Sequence, residues 1–215
     1  LWWHLCLMLL ERGEHERVFE LLTSQIRNPD APLVKAAPDA PIDLQNFTSM
    51  LMRLELAGID VGDHWNTYAD ICAGRLHEHG NAFSNAHDMM VLAKTGQFEL
   101  ADQLLDSMHQ FVATHDGTLA FSHHAAGIPT CEAVLAHFRK DYARVIEMLS
   151  PARHDLPLFG GSHAQRDVFY QILVNAARHE GRTDLISLYL DDMKRIGFER
   201  VTDHSFYHAD AGLAL

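Results

Sequence analysis

Three side chains able to bind an anion or move a proton stand within one short string, Gly160-Gly161-Ser162-His163-Ala164-Gln165-Arg166-Asp167. Ser162 and Gln165 have the S-x-x-Q spacing of a capping box, placed just ahead of the apolar residues Val168, Phe169, Ile172 and Leu173, so the string predicts a helix N-terminus. Capping accounts for Ser162 and Gln165 and leaves His163, Arg166 and Asp167 to be explained. A helix N-terminus favours negative charge, and a guanidinium presents a planar fork to a carboxylate or phosphate. His163, Gln165, Arg166 and Asp167 are therefore candidate binding residues, expected at a groove rather than on an outer back. The plainer reading of the same string is a turn, a cap and solvated charges.

Sixteen histidines are the oddity of the composition. His77-x-His79, His123-His124 and His204-x₃-His208 are the close pairs. Only the last has the i, i+4 spacing that puts two imidazoles on one helix face, and no third ligand follows at matching spacing. No HExxH, GxxxxGK[ST] or GxGxxG string occurs, and no serine triad can be assembled from the sequence. We expect no metal and no cofactor.

The elements that would position these residues are visible as a repeat. Gly13, Gly58, Gly96, Lys140 and Gly181 follow one another at spacings of 45, 38, 44 and 41 residues. Seven residues before each of them stand Cys6, Leu51, Met89, Ala133 and Val174, and four before stand Leu9, Leu54, Leu92, Ala136 and Ala177. Five residues after come Val18, Asp63, Ala101, Val145 and Ile186, and nine after come Leu22, Thr67, Leu105, Leu149 and Leu190. Apolar offsets of −7, −4, +5 and +9 describe two amphipathic helices facing each other across a short turn. The second segment departs at Asp63 and Thr67, so its second helix is expected to start later and use Val61, Trp65 and Tyr68. A unit of this length buries its apolar face only against its neighbours, which predicts an all-α solenoid of about five tetratricopeptide-like hairpins. At offset −9 the residues are His4, Ser49, His87, Cys131 and Ile172. If one phase of the first helices lines a concave face, His4, His87 and the adjoining Asp88 belong to the candidate groove; packing at helix ends is the alternative.

Lysine and arginine number 17 and aspartate and glutamate 29, for a formal charge of −12 with histidine neutral. Nucleic acid and anionic membranes reward clustered cations, so neither is expected as a partner. Cys6, Cys72 and Cys131 lack CxxC spacing and read as free thiols of a cytoplasmic protein. Leu1–Leu10 is apolar around most of its circumference, lacks the marks of a signal peptide, and is too short to span a bilayer; it reads as a repeat whose N-terminal neighbour is missing. Three connectors are expected, at Thr23–Pro41, Thr114–Ile128 and Pro151–Ser162, with Ser84 capping one helix and Pro129 opening another.

The chain resembles the C-terminal half of the tetratricopeptide repeat protein 38 family, including its bacterial members. The resemblance rests on Trp3-His4-Leu5, Leu54-Glu55-Leu56-Ala57-Gly58, Phe83-Ser84-Asn85-Ala86-His87-Asp88-Met89-Met90, Gly127-Ile128-Pro129-Thr130-Cys131, Asp141-Tyr142 and, above all, Gly160 to Asp167. It extends from about Leu1 to Lys194; the stretch before Pro41 is longer than the pattern, and the tail after Gly197 falls outside it. It implies an all-helical repeat protein with no catalytic residue to carry over, and an N-terminal half of similar size.

These readings lead to a helical-repeat domain over residues 1–196 and a tail over 197–215. The expected function is an interaction protein that takes a protein, a peptide or a small anionic ligand in a concave groove. The alternative is an enzyme whose His4, His87, His163, Arg166 and Asp167 converge in a pocket inside the solenoid.

Overall fold

The computed structural model describes residues 1–195 and 204–207, and these contain helices and no strand. Most of the chain forms pairs of helices joined at the five predicted turn residues. Helix α1 (Trp2–Glu11) is followed by α2 (His15–Leu21), a π turn (Leu22–Ile26) and the short α3 (Pro32–Ala36). Helix α4 (Pro41–Leu56) leads into a 3₁₀ segment (Gly62–Tyr68) and α5 (Ala69–Ala73). Next come α6 (Ala82–Lys94), α7 (Phe98–Thr114), α8 (Thr118–Ser122) and a second π turn (His123–Gly127). The chain continues through α9 (Ile128–Phe138), α10 (Tyr142–Ala152), a 3₁₀ turn (Leu156–Phe159), α11 (His163–His179) and α12 (Thr183–Arg195).

All five turns are built the same way. Gly13, Gly58, Gly96, Lys140 and Gly181 have φ of 70°, 82°, 76°, 61° and 65°, the left-handed region that ends a helix. Each donates its amide to the carbonyl three residues back, and the next residue donates to the carbonyl at offset −4: Glu14 to Leu9, Ile59 to Leu54, Gln97 to Leu92, Asp141 to Ala136 and Arg182 to Ala177. One backbone device thus explains why the period is marked by glycine in four segments and strained at Lys140 in the other. The −7 and −4 columns are buried in every segment. After the turn, Val18, Ala101, Val145 and Ile186 are buried, while Asp63 and Thr67 are exposed and Val61, Trp65 and Tyr68 take the inner positions, as the spacing of the second segment requires.

The expected connectors are more structured than their composition suggests. Proline opens helices here instead of preventing them: Pro32 starts α3 and Pro41 starts α4. Residues 118–127 form α8 and a π turn that runs directly into α9, and α10 continues through Pro151 to Ala152. The cap of α6 is Asn81, not Ser84. The Asn81 side chain accepts from the amide of Phe83 at 2.9 Å, whereas the Ser84 hydroxyl accepts from Gln45 of α4 at 2.8 Å.

The first helices pack as a ring. α4 packs on α6, α6 on α9, α9 on α11, and α11 back on α4, with α1 against α4. The closing contact is polar: Arg53 of α4 donates to the carbonyl of Ala164 in α11 at 2.6 Å, and Gln165 reaches Asn46 at 3.5 Å. Helix α6 is buried from Ala82 to Ala93, on all faces, as a helix enclosed by others must be. The space between the first helices is therefore filled by side chains. At the N-terminal end Trp2 and Met8 stand in solvent, 48% and 65% exposed. No helix among the described residues is long and apolar enough to cross a membrane. The tail after Gly197 lies outside the described residues apart from residues 204–207, of which Tyr207 is buried.

Candidate functional site

The capping box is present as its spacing predicts. Ser162 accepts from the amide of Gln165 at 3.3 Å, and the Ser162 amide donates to the Gln165 side chain at 2.9 Å. His163, Arg166 and Asp167 line one cavity of about 80 Å³ together with Arg153 and Tyr170. Arg166 is half-buried, and its guanidinium turns back on its own loop, donating to the carbonyls of Gly161 and, at 3.3 Å, Gly160. Gly161 is needed there for contact as well as conformation: it has a φ of +74°, and a Cβ would stand 2.7 Å from the Phe83 ring. Asp167 is buried and accepts from Tyr207 at 2.9 Å and Gln171 at 2.6 Å, with Arg53 at 3.9 Å. These contacts give the string a structural role in closing the ring.

The other candidates do not join it. His87 lies in the core, its Nδ1 donating to the Phe83 carbonyl at 2.7 Å and its ring against Phe83 and Phe169. Burial pushes its pKa down to about 4, so it is a neutral core residue. Asp88 is buried beside Arg75 at 3.7 Å, accepts the Cys72 thiol at 3.4 Å, and is pushed up to about 6 by burial. His4 is exposed on α1, edge-on to Trp3. The five residues of the enzyme reading are thus divided among an exposed helix face, the core and the Arg166 cavity.

A different cleft gathers the chemistry. Residues 77–80 lead from a turn into the Asn81 cap of α6, and His77 and His79 both reach α7. The Ser107 hydroxyl lies 2.8 Å from His77 Nδ1 and 2.8 Å from His79 Nε2. Beside it, Phe111 has its ring centroid 4.5 Å from that of His115, 5.1 Å from His123 and 5.2 Å from His79. His123, buried at the start of the second π turn, faces the Leu119 carbonyl at 2.9 Å and Asn85 Oδ1 at 3.1 Å. Asn85 in turn donates to the Glu78 carbonyl at 2.9 Å, which ties the histidine segment to α6. Burial pushes the pKa of both His79 and His123 down; at His79 Asn85 opposes the effect and neighbouring imidazoles add to it, and the Leu119 carbonyl opposes it at His123.

The cleft in front of these groups is open and encloses about 720 Å³. Its lining contains His77, His79 and His115 and no aspartate, glutamate, lysine or arginine. Among the described residues no three His, Cys, Asp or Glu side chains stand where they could hold a metal ion; the cleft histidines turn toward a hydroxyl, carbonyls and a ring face. The pairs His77-x-His79 and His123-His124 are visible in the sequence. Ser107 and Phe111 carry no local signal, because they become special only when α7 packs beside residues 77–80.

No family model matches the chain, and no solved structure matches it.

Proposed function

We propose that this chain is a cytoplasmic helical-repeat binding protein, a tetratricopeptide-like solenoid whose hairpins have curled until α11 meets α4, and that its ligand seat is the histidine-lined cleft beside α7. Five identically built turns and two buried columns support the repeat reading. The resemblance to the tetratricopeptide repeat protein 38 family points the same way. Three buried free thiols are in keeping with a reducing compartment. The ligand is a peptide or a small molecule, bound from outside the ring rather than in a concave face between the first helices.

One observation carries the choice of seat. The cleft combines about 720 Å³ of open space with a serine held between two imidazoles and an aromatic ring among three. Ligand sites characteristically join apolar walls to a few convergent polar groups with shifted pKa values. The test is a fragment panel of small aromatic acids and amides followed by NMR of the histidine rings. Fragments should perturb His77, His79 and His115 and should lose binding in Gln110→Trp, which fills the mouth. Perturbation confined to His154 and His163 would move the seat to the Arg166 cavity.

A further inference from the structure

We infer that the cleft takes an organic anion, a carboxylate beside an aromatic or aliphatic body, and that the anion enters together with a proton taken up by the histidines. The inference rests on the cleft being the ligand seat and adds the class of ligand and its linkage to pH.

The chain carries 29 acidic side chains, yet none lines this cleft, and no lysine or arginine does either. The only charge its walls can acquire is therefore positive, and only by protonation. Imidazole is the side chain whose charge ordinarily changes between about pH 5 and 8. The groups facing the site are His77 and His79 from the segment before α6, Ser107 from α7, His115 just after it, and His123 behind them, with Asn85 on α6. Three carboxylates adjoin lining residues in sequence, Glu78, Asp106 and Asp116; all are exposed and none lines the cleft, and Glu78 pairs with Arg75 at 3.5 Å.

The hydroxyl supplies the mechanism. Ser107 has one proton and two lone pairs. While an imidazole is neutral, its nitrogen facing Oγ can accept the Ser107 proton as the other ring donates to the oxygen. With both rings protonated, both donate to Oγ, and the Ser107 proton is released to turn toward the cleft. Proton uptake thus converts a closed hydrogen-bond bridge into a set of outward donors. His79 is held down by burial and by the imidazoles of His123, His77 and His115; an anion in the cleft offsets both effects and favours its protonated form. Phe111 and the exposed Leu119 offer the ligand body an apolar wall, which a bare inorganic ion would leave unused.

Benzoate and benzamide, equal in shape and different in charge, test this on the full chain by NMR titration of the histidine rings at about pH 5.5 and pH 8. Benzoate should bind at least about tenfold more tightly at the lower pH, the usual size of a linkage between two sites. Benzamide should bind weakly with no pH dependence. His77→Gln, at an exposed position, should keep the fold and remove most of the benzoate pH dependence; Ser107→Ala should do the same. Equal binding of benzoate and benzamide, or benzoate binding unchanged between the two pH values, would overturn the anion inference while leaving the cleft as the seat. Binding of neither compound at His77, His79 or His115 would overturn both.

Discussion

The guanidinium of Arg53 donates to the carbonyl of Ala164 at 2.6 Å, joining helices that lie 111 positions apart in the chain. Arg53 is 1% exposed. It also donates to Ser49 of its own helix at 3.0 Å, faces Asp167 at 3.9 Å and lies over the Trp3 ring. One side chain therefore touches α1, α4 and α11.

Arg53→Met should destabilise the chain by roughly 3–5 kcal/mol, because it leaves the buried Asp167 without its cation. Arg53→Lys should recover little, since an ammonium cannot span Ser49, Ala164 and Asp167 as a planar fork does. Urea unfolding followed by circular dichroism measures both. A loss below about 1 kcal/mol in Arg53→Met would mean that the ring closes without this residue.

Gly161 and Gly58 share a left-handed backbone but differ in surroundings. A Cβ at Gly58 meets nothing within 4 Å, whereas at Gly161 it meets Phe83. Gly58→Ala should cost roughly 1–2 kcal/mol from conformation alone. Gly161→Ala should cost roughly 2–5 kcal/mol, since overpacking against a buried ring is added. Equal losses in thermal or urea unfolding would show that Phe83 yields freely.

Lys140 holds the same turn position as four glycines, with a φ of 61°. Lys140→Gly should stabilise the chain by up to about 1 kcal/mol, visible as a higher Tm. A lower Tm would mean that the lysine side chain contributes more than its backbone costs.

Acid should weaken the fold before the carboxylates are neutralised. Burial pushes His87 and His137 down to about 4, and His79 and His123 also lie below the usual imidazole value. As pH falls through about 6.5 the unfolded chain takes up protons that these folded groups refuse, so stability is lost down to about pH 4. Asp88, raised to about 6, and Asp43, also raised, act in the opposite sense, because each gains its proton first in the folded state. Four imidazoles against two carboxylates leave a net loss, expected as a Tm lower by roughly 5 °C or more at pH 5 than at pH 7. His87→Gln should flatten the slope. A Tm that is level across this window would contradict the assignment of these histidines as neutral.

How much of this was legible follows from the range over which each signal acts. The five turns and the −7 and −4 columns could be read because a left-handed helix end asks for glycine at one position and a packed face asks for apolar residues at fixed offsets. The Ser162–Gln165 box was legible for the same reason: its partners are three residues apart. Ser84 reads as a cap from its local sequence, which carries no sign that Gln45, on another helix, engages its hydroxyl. Ring closure through Arg53 and Ala164 left no local trace, and without it an open groove containing His4, His87 and Asp88 was the natural expectation. Ser107 was invisible as a site residue, because its two histidines come from a segment 28 and 30 residues earlier.

The most direct measurement is a crystal structure of the chain soaked with benzoate at about pH 5.5. The account predicts a carboxylate within hydrogen-bond distance of His77 or Ser107, with its ring against Phe111. Benzoate found in the Arg166 cavity or elsewhere, with the cleft empty, would contradict it.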